Sequence, residues 1–147
     1  MIALGSDHGG FELKQAIKEF LTQHNIEFLD FGTHNLESVN YAGFALMVAN
    51  SIKQGDCEKG ILCCGTGIGI SIAANKVRGI RAAVCTNEFC AEMCRRHNDA
   101  NILCMGGRVI DKSMAIKLTD IFLKTPFDGG RHAERIAEIA KIESKYL

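Results

Sequence analysis

The sequence has no excess charge of either sign, with 17 lysine and arginine residues against 17 aspartate and glutamate residues in a chain of 147. A protein that grips a phosphate polymer carries a basic footprint, so this balance argues against nucleic-acid binding and leaves small anions held by a few placed groups. Long apolar runs are also missing: none approaches the ~20 residues of a membrane helix, so no membrane partner is expected. Proline occurs once. With no linker, internal repeat or low-complexity segment either, one domain over residues 1–147 is expected. No cationic stretch followed by a long apolar one opens the chain, which makes the cytoplasm the expected compartment. Cysteine is present in an odd number, seven, and several of the seven lie in apolar runs that read as buried strands. That pattern suits reduced thiols better than a disulfide framework.

Glycine is abundant, at 15 residues, and it falls between segments of alternating periodicity. Residues 2–6 form a short apolar run ending in Gly5-Ser6-Asp7-His8-Gly9-Gly10, after which Phe11, Leu13, Ala16, Ile17, Phe20 and Leu21 recur at helical spacing. Further strands are expected at 26–31, 60–64, 80–85 and 102–105. Further helices are expected over 41–52, from the 65–69 turn through Asn75, and over 88–96, 113–123 and 133–146. Five strands alternating with six helices predict an α/β fold, a parallel sheet with helices on both faces. In such sheets ligands bind beyond the carboxyl ends of the strands, and the turns after the first and third strands fall on that edge.

Cys64-Gly65-Thr66-Gly67-Ile68-Gly69 is the most informative segment. Three glycines at alternate positions let backbone N–H groups converge on an anion or a developing enolate oxygen. The spacing is neither the dinucleotide fingerprint nor a Walker loop, and a tight strand-to-helix turn without a ligand is the plainer alternative. Cys64, one residue before the loop, is the candidate thiolate, because a helix amino terminus favours that form. Its neighbour Cys63 should point to the opposite face and pack.

Asp7 and His8 end the first strand on the same edge. Asp7 suits a sugar hydroxyl or a helix cap, and His8 suits a phosphate or a proton exchange. Arg95-Arg96-His97-Asn98-Asp99 ends the fourth helix. The arginines complement its negative terminus. His97 is a candidate general acid or base, or a zinc ligand together with Cys90 and Cys94 on one helical face. Arg131 and Arg135, four apart, can fork around a phosphate or pair with Glu134 and Glu138 on a solvated helix. Arg108 is a lone cation in a turn, and His24 and His34 read as surface residues.

Together, the Gly5–Gly10 turn, the block from Cys64 to Lys76, the block Arg96-His97-Asn98-Asp99-Ala100-Asn101 and Gly129-Gly130-Arg131-His132 closely resemble the type B ribose-5-phosphate isomerases, in order along essentially the whole chain. The wider family includes isomerases of galactose 6-phosphate and allose 6-phosphate. The resemblance implies a three-layer α/β/α Rossmann-like sandwich with a five-stranded parallel sheet, working without cofactor or metal. It implies interconversion of ribose 5-phosphate and ribulose 5-phosphate through a cis-enediolate, with Cys64 as the base. Some relatives instead use a glutamate from another position. The backbone of Gly65, Thr66, Gly67, Ile68 and Gly69, with the Thr66 side chain, would stabilise the enediolate. His97 would open the sugar ring, Asp7, Tyr41 and Asn98 would contact the sugar, and Arg131, Arg135, His8 and Arg108 would hold the phosphate. Relatives are homodimers, sometimes paired into homotetramers, whose sites draw on both subunits. One departure stands out: Asn40-Tyr41-Ala42 replaces the usual Asp-Tyr-Pro, removing a charge and a fixed φ angle beside the sugar. The alternatives are an isomerase of a six-carbon sugar phosphate and a non-catalytic subunit that binds sugar phosphate.

Overall fold

A computed structural model describes residues 1–147. Five strands, β1 (Ile2–Ser6), β2 (Phe28–Asp30), β3 (Lys59–Cys64), β4 (Ala82–Val84) and β5 (Ile102–Gly106), form one parallel sheet in the order β2-β1-β3-β5-β4. Six helices connect or follow them: α1 (Phe11–Gln23), α2 (Tyr41–Lys53), α3 (Ile68–Ala74), α4 (Glu88–Arg96), α5 (Lys112–Lys124) and α6 (Arg131–Tyr146). The α/β expectation of five strands and six helices therefore holds. The edge strands β2 and β4 are shorter than their apolar runs suggest. The Ile26 N–H, for example, bonds to the Leu21 carbonyl and closes the turn after α1 instead of joining the sheet.

Pleating divides the apolar residues of the central strands between two cores. Ile2, Leu4, Ile61, Cys63, Leu103 and Met105 face α1, α4 and α5. Ala3, Leu62, Cys64, Ile102 and Cys104 face α2 and α3. Burial on both faces explains why these strands read as continuous apolar runs. The chain leaves β1 to one side to form β2, then crosses to the other side of β1 to form β3. The carboxyl ends of β1 and β3 therefore flank the crevice where the winding reverses, the usual ligand position in open α/β sheets.

A charged contact secures the flank of that crevice. Lys14, on α1, is only 1% exposed; its Nζ donates to Asp30 Oδ1 at 2.5 Å and to the Thr33 carbonyl at 2.6 Å. Lys18 reaches the other Asp30 oxygen at 2.8 Å. Burial lowers the pKa of Lys14 against the support of Asp30. Burial also opposes the Asp30 charge, yet the two ammonium groups and the Gly32 N–H hold its carboxyl below the ordinary range. The contact ties α1 to the 31–40 segment, which leads into the crevice.

Removing one member of a buried pair costs most when the other is left without a partner, about 3–5 kcal/mol. Asp30→Asn, which leaves the buried Lys14 ammonium with the Thr33 carbonyl but no counter-charge, is expected to cost about that much at pH 7, and Lys14→Met less, because Asp30 keeps Lys18 and Gly32. The depressed Asp30 pKa supplies stability above the unfolded value of 3.8 that disappears as pH falls through the folded value. Urea unfolding from about pH 5 to about pH 2 should accordingly show a shallower decline for Asp30→Asn than for the native protein. Equal losses for the two variants at pH 7 would contradict the asymmetry.

Candidate active site

The turns after β1, β3 and β5 meet backbone to backbone. A Cβ on Gly10 would lie 2.2 Å from the Cys63 carbonyl carbon, so only glycine lets the first turn dock on β3. Gly67 has φ +82° and its Cα faces the Met105 backbone, which fixes the second turn against β5. The Gly107 and Arg108 N–H groups close the third turn onto the Cys64 and Gly65 carbonyls at 2.8 and 2.9 Å.

Cys64 ends β3 beneath this junction, 5% exposed, and its Sγ accepts a hydrogen bond from the Gly67 N–H at 3.0 Å. Thr66 is exposed, and its Oγ1 accepts from the Ile68 N–H at 3.2 Å. The N–H groups of Gly65, Thr66, Gly69 and Ile70 have no acceptor within the protein. Since α3 has only seven residues, these local donors, more than a helix dipole, give the loop its affinity for negative charge. Cys63 points the other way, into the core, where burial pushes its thiol up to about 12. Cys104 is raised for the same reason.

Around the sulfur lie the other residues of this edge. Asp7 Oδ1 accepts from the Gly9 and Gly10 N–H groups at 2.8 and 3.2 Å, so Asp7 organises the turn before α1; it does not cap the helix, whose N-cap is Gly10 without a side-chain bond. His8 Nδ1 accepts from the Val39 N–H at 3.2 Å, which leaves Nε2 as the protonated nitrogen. His8, Arg108 and Lys112 line a cavity of about 570 Å³, and the Arg108 guanidinium lies beside Gly65. The Tyr41 ring packs over Gly69, where a Cβ would stand 2.6 Å from the ring. Asn40 caps α2, accepting from the Ala42 N–H at 2.9 Å. Its amide thus fills the capping role open to an aspartate, which is why Tyr41 keeps its place without the charge or the proline.

The structure does not bring His97, Asn98, Arg131 and Arg135 to this edge. His97 caps the end of α4 before β5 begins. Ile102 pairs with Gly60 and Gly106 with Cys64, so His97 and Cys64 are separated within one chain by at least the length of β5, about 13 Å at 3.3 Å per residue. The four residues gather instead at the opposite edge. His97 stacks on His132, in the first turn of α6, with ring centroids 4.2 Å apart and planes 10° apart. Arg131 and Arg135 rise from that turn, exposed and without an acidic partner; Glu138 pairs with Lys141. Arg96 bonds Glu92 and Asp128. The zinc grouping of Cys90, Cys94 and His97 does not form: Cys94 is buried in the α4–α5 core and Cys90 is exposed, while the donor atoms within 4.8 Å of a His97 nitrogen belong to Asp128 and His132. Sequence reasoning passed over His132, whose only signal is its place beside Arg131, and Lys112, which carries none.

Fold and site define a doubly wound α/β protein with a thiol and a ring of free N–H groups at its switch crevice, the equipment of a protein that handles a small anionic substrate. The chain belongs to the ribose/galactose isomerase family, whose model matches residues 2–139. It is similar to ribose-5-phosphate isomerase B of Clostridium thermocellum, whose structure shares 56% identity, superposes with a TM-score of 0.98 and is matched over 99% of both chains. Ribose-5-phosphate isomerase B of Escherichia coli is 44% identical over 144 residues, covering 98% of this chain and 97% of that one. The Mycoplasma genitalium ribose-5-phosphate isomerase B, solved with bound ribulose 5-phosphate, is 41% identical with a TM-score of 0.93, covering 98% and 96%.

Burial and raised pKa values set Cys63 and Cys104 apart from the exposed Cys90. Brief alkylation of the native protein near pH 7.5 is expected to label the exposed Cys90 and leave Cys63 and Cys104 unmodified until the chain unfolds. Peptide mass spectrometry reads the sites; modification of Cys63 in the folded protein would contradict its assignment to the core.

Proposed function

We propose that this protein, acting as one domain, is an aldose–ketose isomerase that interconverts ribose 5-phosphate and ribulose 5-phosphate. The observation that carries the reading is the Cys64 sulfur held by the Gly67 N–H beneath a loop whose remaining N–H groups are free. As the thiolate, Cys64 takes the C2 proton of the open-chain aldose. The C2 electron pair moves into the C1–C2 bond, and the carbonyl oxygen becomes an enediolate oxygen that accepts hydrogen bonds from the loop and Thr66. The O2 hydroxyl proton passes to O1, O2 becomes the new carbonyl oxygen, and return of the proton from Cys64 to C1 gives the ketose and restores the thiolate. Charge stabilisation comes from backbone donors, so the reaction calls on no metal or cofactor.

Before that step the furanose must open: O1 loses a proton, the C1–O4 bond breaks and O4 gains a proton. His97 is the group proposed to supply the O4 proton, with Asn98 contacting the sugar and Arg131, Arg135, His8 and Arg108 holding the phosphate. Because His97, Asn98, Arg131 and Arg135 share one corner far from Cys64, a second copy of the chain can deliver all four at once. Exposed apolar side chains on α2 (Leu46, Met47), α3 (Ile68, Ile72) and α4 (Phe89) support such an assembly, a homodimer or a pair of homodimers.

Cys64→Ala is expected to lower kcat by about 1,000-fold or more with the fold intact; near-normal turnover would remove the base. Erythrose 4-phosphate, whose O4 carries the phosphate, cannot close a furanose ring. His97→Asn is therefore expected to lower kcat/KM for ribose 5-phosphate about 100-fold and to spare erythrose 4-phosphate. Equal losses would end the ring-opening role. Refolding an equal mixture of the two variants should restore about a quarter of native activity, since half the dimers then contain one intact site out of two; no recovery would put both residues in the same chain's site. Comparing kcat/KM for ribose 5-phosphate, allose 6-phosphate and galactose 6-phosphate tests the sugar size, and ligand binding without proton exchange at C2 would indicate a non-catalytic subunit.

A further inference from the structure

His132 has no task in the reaction above, yet it is the only buried side chain of α6, 9% exposed, and its ring lies flat on His97. Histidines that move protons are held by a hydrogen bond from one ring nitrogen to a carboxylate or carbonyl, which sets the ring plane and the tautomer. No hydrogen bond is made by either ring nitrogen of His97 in this chain. Only its backbone is fixed, by the N–H donating to the Met93 carbonyl at 2.9 Å. Stacking at 4.2 Å is the contact that orients the His97 ring.

We propose that His132 is the positioning residue for His97, presenting a flat imidazole face that sets the ring plane from which His97 acts on the sugar. The inference rests on His97 being the ring-opening group. The surroundings suit the assignment. Burial lowers the pKa of His132, and His97, Arg131 and Arg135 push the same way against Asp128. These influences favour the neutral form of His132. A neutral ring offers its π face to an imidazolium, whereas two charged rings at this separation repel. The groups facing the pair are Asp128 from the segment before α6, Arg131 and Arg135 from α6, and Arg96 from α4, which engages Asp128 at 3.1 Å. The donor atoms of His97, Asp128 and His132 lie within 4.8 Å of one another. Three arginines around them oppose a divalent cation and leave proton chemistry as the use of the corner.

The test compares His132→Ala with His132→Phe, which keeps a ring for the stack. His132→Ala is expected to lower kcat/KM for ribose 5-phosphate about tenfold and to leave erythrose 4-phosphate within about twofold, while His132→Phe returns ribose 5-phosphate to within about threefold of native. Equal losses on both substrates would mean a structural role only, and a phenylalanine variant as slow as the alanine one would show that a nitrogen is needed; either result overturns the proposal. In the free protein, NMR should find His132 titrating below an ordinary histidine and moving up in His97→Asn, and an unmoved titration would also overturn it. Failure of the underlying reading looks different: His97→Asn would then affect the two substrates alike, whatever the His132 variants do.

Discussion

Backbone meets backbone where β1, β3 and β5 end, and the arrangement of the crevice depends on that contact. The first turn lies on β3 because Gly10 has no side chain; the second reaches β5 because Gly67 takes a left-handed conformation against Met105. The approach brings the Gly67 N–H onto the Cys64 sulfur, sets Arg108 beside Gly65, and leaves several loop N–H groups without acceptors. Those unmet donors are affordable because they face an open crevice instead of the core. The chemistry is therefore a by-product of tight packing: where side chains are removed so that strand ends can converge, the polar backbone is what remains at the surface.

A parallel sheet has two distinct edges, and this chain puts different equipment on each. The carboxyl edge carries the thiol, the free N–H groups, Tyr41 and His8; the amino edge carries His97, Asn98 and the arginines of α6. Direction along β5 separates the two sets, since Gly60 and Cys64 pair with its opposite ends. No loop rearrangement within one chain closes a gap set by the length of a strand. The crevice is tightly packed, whereas α6 buries one side chain, His132.

Much of this was legible in the residues. Short continuous apolar runs and period-3.6 patterns located all eleven elements, and the glycine spacing after Cys64 marked the loop that holds its sulfur. Boundaries failed where a short edge strand and its flanking turn share one apolar run, as at Ile26, because hydropathy does not distinguish a turn packed on a core from a strand. The spatial grouping of His97 with His132 was not legible, since a stack between the end of α4 and the start of α6 has no periodic signature. The Cys90, Cys94 and His97 grouping looked plausible on a helical wheel, but Cys94 belongs to the buried stripe and His97 lies past the last turn, where the wheel no longer applies. Lys14 was hidden for a similar reason: a lysine on an amphipathic helix reads as solvated until Asp30 and the Thr33 carbonyl are found waiting beneath it.

Cys63 and Cys64 are adjacent and chemically identical, and only the pleat separates a core thiol from a crevice thiol. A shift of β3 by a single residue against β1 and β5 would exchange them, leaving composition and apolar area almost unchanged while turning the crevice sulfur into the core. Gly60 guards against that error. Its missing Cβ would stand 2.6 Å from Val48 Cγ1, so a slipped strand that put Ile61 or Lys59 at the same station would collide with α2. Alignment of one strand with its neighbours is thus a chemical specification as well as a structural one, enforced far from the sulfur by a residue with no functional group at all.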